Sequence, residues 1–161
     1  MVDHETLALA EALGRAALIR RARIATAESC TGGLVAGAIT AVAGSSDWFE
    51  CGFVTYSNTA KERDLGVPAS SIQRFGAVST EVAQQMAEGA RRVSGAAWAV
   101  AVTGIAGPAG GTPDKPVGTV CFAWSSPSGS EAIRTLVPGD RQAIRRECVR
   151  IALQGLLDRL A

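Results

Sequence analysis

The sequence predicts an α/β domain, layered around a mostly parallel sheet with one antiparallel strand. Three observations lead there. Short apolar runs alternate with longer segments of helical periodicity, the pattern that builds parallel strands joined by crossover helices. Residues 96–103 are almost wholly apolar, as a strand buried on both faces must be. The last two strand-like runs are separated by Pro127-Ser128-Gly129, a connection suited to a hairpin and too short for a crossover.

The elements follow in order. Leu9, Leu13, Ala16 and Ala17 fall at helical spacing, so residues 4–20 are expected as an amphipathic helix. Residues 23–27 read as a short strand, followed by a glycine turn and a helix over 34–42. Gly44-Ser45-Ser46-Asp47 is a loop by composition. Residues 49–56 have the β-branched and aromatic character of a strand. Asn58 or Thr59 is expected to cap a short helix that carries Lys61 and ends near Gly66, before Pro68. Ser79, with Glu81 in the first turn, starts a helix running to about Val93. After the strand at 96–103 comes a glycine- and proline-rich loop over 104–116, then strands at 117–125 and 132–137. Asp140 caps a final helix whose apolar face carries Ile144, Cys148, Ile151 and Leu156. There is no linker, repeat or low-complexity segment, so residues 1–161 read as a single domain.

Composition narrows the function. With 161 residues, 47% of them hydrophobic, the chain can bury a real core. Its 16 basic and 15 acidic residues leave a net charge of +1, without the basic excess of a nucleic-acid footprint. Arg20, Arg21 and Arg23 read as a solvated helix end, where cations suit the dipole. No apolar stretch approaches the roughly 20 residues of a membrane span. Asp3 and Glu5 stand where a secretory signal would carry basic residues. Cys30, Cys51, Cys121 and Cys148 are widely spaced with no CxxC pair, which argues against a metal cluster or redox motif. Reduced cysteines in a cytoplasmic protein are the simplest expectation.

The chemistry-bearing segment is Thr26-Ala-Glu-Ser-Cys-Thr-Gly-Gly33, at a strand-to-helix junction that presents free backbone N–H groups. Ser29 there has a hydroxyl that can attack and a neighbouring backbone that can hold an oxyanion. The only histidine, His4, lies on a surface helix, so a serine nucleophile needs another base. Lysine serves when burial disfavours its charged form. Only Lys61 and Lys115 exist, both beside loops after strands. Ligands in open α/β sheets gather beyond the carboxyl ends of strands, where Ser29, Tyr56, Lys61, Thr103 and the loop from Gly104 converge. Blander readings stand beside these: Ser29 as a helix cap, Tyr56 as a strand aromatic, Lys61 as a solvated charge. Cys30 is a rival nucleophile, although without a histidine it reads as a small packing residue. Thr103-Gly-Ile-Ala-Gly-Pro-Ala-Gly-Gly-Thr112 is too long a loop to carry idly, and its N–H groups can form an anion-binding nest. It is neither a Walker A loop nor a dinucleotide fingerprint.

Five segments occur in a telling order: Ala27–Gly33, Val54-Thr-Tyr-Ser-Asn58 with Lys61, Gly76-Ala-Val-Ser79, Thr103–Pro108 and Lys115-Pro-Val-Gly118. Together they resemble the CinA C-terminal domain family, the competence- and damage-inducible family, across essentially the whole chain. Its stand-alone members include nicotinamide-nucleotide amidases, and no molybdopterin-binding-like segment precedes the matching region. One departure is Cys51, before Gly52, where many relatives carry a second glycine. The resemblance implies a three-layer α/β/α fold with a mixed five-stranded sheet. It implies deamidation of nicotinamide mononucleotide to nicotinate mononucleotide and ammonia, in pyridine-nucleotide salvage and without metal or cofactor. The family's catalytic serine falls on Ser29, its lysine on Lys61, and Tyr56 takes the matching tyrosine position. Neutral Lys61, directly or through Tyr56, is then expected to take the Ser29 proton, with the N–H groups around Cys30, Thr31, Gly32 and Gly33 holding the oxyanion.

Substrate contacts are expected from Thr103, Gly104 and Gly107 as well. For the 5′-phosphate, Arg141 and Arg145 are the candidates, four apart on one helix face, with surface ion pairing to residues such as Glu147 as the other reading. A homodimer is expected for an enzyme of this size with apolar helix faces. Two alternatives remain open from sequence: a non-catalytic nucleotide-binding or interaction module in a competence or DNA-damage response, and an amidase for another nucleotide-like amide.

Overall fold

A computed structural model describes residues 1–161. Five strands form one sheet in the order β2-β1-β3-β4-β5, with β1 at Ile24–Glu28, β2 at Phe49–Val54, β3 at Trp98–Gly104, β4 at Thr119–Ser126 and β5 at Gly129–Leu136. β1 pairs in parallel with β2 and β3, whereas β4 runs antiparallel to both β3 and β5. Only β4 therefore opposes the others, as the sequence pattern predicts. The β4–β5 hairpin closes with Ser126 opposite Gly129, leaving Pro127 and Ser128 as the turn.

Six helices cover the two faces. α1 (His4–Arg20), α2 (Leu34–Thr40) and α6 (Arg141–Leu160) pack on one. α3 (Asn58–Leu65), α4 (Ala69–Phe75) and α5 (Thr80–Ser94) lie on the other. The period-2 alternation of β3 sorts the residues between them. Val100 and Val102 face α1, α2 and α6 together with Val120, Phe122 and Trp124 of β4. Ala99 and Ala101 face α5 together with Ala123. Small residues on this second face meet Ala83, Ala87 and Ala90 of α5, so helix and sheet can approach closely. Gly89 makes the same point where α5 meets α3, since a Cβ there would run into the Leu65 carbonyl oxygen.

Local signals account for most boundaries. Asp3, Ser79 and Asp140 accept hydrogen bonds from Thr6, Val82 and Ala143 N–H as N-caps of α1, α5 and α6. The cap of α3 is Ser57 rather than Asn58 or Thr59: its backbone is extended and its Oγ accepts from Ala60 N at 3.0 Å. The segment expected as a loop at 44–47 includes a single 3-10 turn, Ser45–Asp47. α4 was not expected at all. It begins directly after Pro68, which ends the approach from α3 and also presets the backbone that starts the next helix. No helix of the protein is long and apolar enough to cross a membrane.

Candidate active site

β1 delivers the chain to the carboxyl end of the sheet, and Glu28 is its last residue. The Glu28 side chain, only 1% exposed, folds back over the start of α2. Its Oε1 accepts from Gly33 N at 3.2 Å and Val35 N at 2.9 Å, and its Oε2 accepts from Ala36 N at 3.0 Å. A carboxylate is well placed there, because helix-start N–H groups otherwise lack partners and carry partial positive charge. The turn between strand and helix is thereby fixed. Gly32 and Gly33 take positive φ values of 57° and 100°, which glycine adopts without strain.

Ser29 stands at the head of this turn, buried at 9% exposure, with its N–H on the Val102 carbonyl at 2.9 Å. Lys61 reaches it from α3. The lysine is 1% exposed, and its Nζ lies 3.0 Å from Ser29 Oγ and 2.7 Å from the Thr55 carbonyl oxygen. No carboxylate pairs with it. Burial without a counter-ion disfavours the ammonium and pushes Lys61 down to about 8, with Cys30 acting in the opposite sense. At pH 7 about a tenth of such lysines are neutral, against roughly one in three thousand for a solvated one. Once neutral, Nζ can keep donating to Thr55 while it accepts the Ser29 proton.

Tyr56 follows Thr55 but turns outward, 61% exposed. Its hydroxyl accepts a hydrogen bond from Arg141 Nη2 at 3.3 Å, and no hydrogen bond joins it to Ser29 or Lys61. Arg141, in the first turn of α6, also donates from Nη1 to the Gly107 carbonyl at 2.7 Å. It thus spans the mouth between Tyr56 and the long loop. Arg145, one turn further on, donates from Nε to the Cys30 carbonyl at 3.0 Å and from Nη2 to the Thr31 carbonyl at 3.3 Å. Neither arginine pairs with Glu147, whose partner is Arg150.

The remaining expected site residues divide by location. Cys30 is buried in the core cluster that also holds Cys148, so its thiol is turned from the mouth. Thr31 is buried, and its hydroxyl has no hydrogen-bond partner, as is also true of Thr55. Thr103 Oγ1 donates to the Ala77 carbonyl at 2.9 Å and ties β3 to the approach to α5. Gly104 is needed for packing, since a Cβ there would press Val120 Cγ2 at 2.7 Å. Lys115, the other lysine, donates to the Phe75 carbonyl at 2.8 Å and anchors the loop to α4. Glu28 is the residue that sequence reasoning missed. The signal was present: a carboxylate closing a wholly buried strand demands several donors nearby.

Comparison with known proteins agrees with the fold. The chain is 54% identical to the protein named Nicotinamide-nucleotide amidohydrolase PncC of Pseudomonas putida, over 92% of this chain and 93% of that one. It is 56% identical to a CinA-like protein of Anaeromyxobacter sp. strain K over 85% of this chain, which spans only 34% of that longer relative. The crystal structure of competence/damage inducible protein CihA from Agrobacterium tumefaciens superposes with a TM-score of 0.95 at 44% identity, covering 98% of this chain and 97% of that one. The CinA C-terminal domain model matches residues 6–160. With the family model matching nearly the whole chain and relatives of this identity covered almost end to end, the chain belongs to the CinA C-terminal domain family.

Proposed function

We propose that this protein is a nicotinamide-nucleotide amidohydrolase that converts nicotinamide mononucleotide to nicotinate mononucleotide and ammonia, with Ser29 as nucleophile and Lys61 as general base. The observation that carries this reading is the buried 3.0 Å contact between Lys61 Nζ and Ser29 Oγ. The names of the close relatives support the substrate class.

The steps follow from the geometry. Neutral Lys61 takes the hydroxyl proton as Ser29 Oγ bonds to the carboxamide carbon. The carbonyl oxygen becomes an oxyanion, held by the N–H groups of Cys30 and Thr31; no backbone or side-chain oxygen of the protein accepts from either group. The protonated Lys61 then gives its proton to the departing nitrogen, the C–N bond breaks, and ammonia leaves an ester on Ser29. Water attacks that ester, again losing a proton to Lys61, and Ser29 recovers the proton as nicotinate leaves. Arg141, Tyr56 and the loop around Gly107 stand at the mouth, where they can contact the ribose phosphate. The four free cysteines suit a cytoplasmic setting in pyridine-nucleotide salvage.

The test is ammonia release from nicotinamide mononucleotide by wild type, Ser29→Ala and Lys61→Ala. Turnover by wild type alone is expected. Undiminished turnover in a folded Ser29→Ala protein would remove the serine from its role. Binding without turnover in wild type would favour a non-catalytic module.

A further inference from the structure

We infer that Arg145 is a positioning residue for amide cleavage: from behind the Ser29 turn, its guanidinium aims and polarises the peptide whose Thr31 N–H holds the oxyanion. This rests on the serine–lysine reading above.

Accounting for the turn's backbone groups leads to it. Ser29 N–H donates to Val102, Gly32 N–H donates to the Ser29 carbonyl at 3.0 Å, and Gly33 N–H donates to Glu28. Of the N–H groups from Ser29 to Gly33, those of Cys30 and Thr31 alone meet no acceptor oxygen. The carbonyls of the same two residues are the ones that Arg145 takes. In a trans peptide, C=O and N–H point in opposite directions. A Cys30 carbonyl drawn toward α6 therefore turns the Thr31 N–H away from α6. α6 and α3 lie on opposite faces of the sheet, so that direction is the side from which Lys61 meets Ser29.

Charge adds to aim. Arg145 has no carboxylate partner, so its cation acts on the two carbonyls without an ion pair to neutralise it. A cation on the oxygen of an amide draws electron density toward that end and strengthens the N–H as a donor, an effect enlarged by the low local dielectric. The fork of arginine fits two carbonyls, whereas an ammonium has one centre. Packing points the same way. The guanidinium lies close beneath Gly32, where a Cβ would be only 3.3 Å from Arg145 Nη2. Arg145 is thus joined to the turn rather than extended toward the mouth, where Arg141 stands.

Steady-state kinetics on nicotinamide mononucleotide with Arg145→Met and Arg145→Lys test this, together with calorimetric binding to Ser29→Ala and to the Ser29→Ala/Arg145→Met double variant. Arg145→Met is expected to lower kcat by about 10- to 100-fold, less than or equal to the loss of one oxyanion donor, with KM unchanged within about threefold. Arg145→Lys should recover part of the rate. The double variant should bind substrate as tightly as Ser29→Ala, which a collapsed turn could not do. Retained kcat with KM or affinity weakened tenfold or more would make Arg145 a phosphate ligand and overturn the inference. Parallel loss of rate and affinity, with a lowered melting temperature, would overturn it in favour of a purely structural role. Wild type without ammonia release, or Ser29→Ala with it, removes the underlying reading and this inference with it.

Discussion

Two glycine-rich segments follow parallel strands at the same end of the sheet, and they are built in opposite ways. The turn after β1 is five residues long, and charges grip it from both sides, the buried Glu28 on the Gly33 N–H and the half-buried Arg145 on two of its carbonyls. The loop after β3 leaves residues 108–114 exposed and is stitched by scattered bonds, among them Thr112 N to the Lys115 carbonyl and Arg141 to Gly107. Bond making needs donors fixed to within a fraction of an ångström, and the first segment supplies that. Recognition of a substrate's remote groups tolerates adjustment, and the second supplies that. Catalytic power should therefore reside in the turn, and substrate affinity in the loop.

The largest break in this contrast is Ser29→Ala or Lys61→Met, each expected to lower kcat by about a thousandfold or more, with the double variant little worse than either. Ammonia release measures this. Glu28→Gln comes next. Its amide turns one acceptor into a donor facing an N–H group, so we expect about 1–3 kcal/mol less stability in thermal or urea melts and about tenfold less kcat.

The pH response is of similar size. Lys61 must be neutral to act, and burial sets it near 8, so kcat/KM should rise about tenfold between pH 7 and pH 9 and then level. Stability moves in the same direction. Between pH of about 8 and 10.5 the unfolded chain holds a proton that the folded chain has lost, so stability rises with pH across that window. Lys61→Met should flatten that rise, as pH-dependent urea melts would show. The smallest effect belongs to the loop: Arg141→Ala should raise KM by about three- to tenfold with kcat within about twofold. A larger fall in kcat than in affinity would erase the contrast between the two segments.

Much of this was legible in the sequence. The alternation of valine and alanine through residues 99–102 marks a strand buried on both faces, and the missing base histidine directs attention to Lys61. What escaped had physical reasons. α4 has only seven residues and no fully buried side chain, so it shows no apolar stripe to read. Glu28 caps its helix at spacings of five, seven and eight, outside the three-residue capping box. The resemblance implies that Tyr56 works beside Lys61, yet the chain turns after Thr55 and sends its ring to Arg141. The Arg145 contacts lie 114 and 115 residues apart along the chain, a separation at which no local pattern survives.

That long span has a consequence for the order in which the protein assembles. Ser29 and Lys61 are 32 residues apart and both lie in the first half of the chain, whereas α6 must arrive from the far end. A growing chain on the ribosome can thus bring nucleophile and base together long before the turn is held from behind. In the finished protein, the same dependence makes α6 a point of failure. Partial detachment of this helix in mild denaturant should silence catalysis while hydrogen exchange still reports protected amides in β1 and β3.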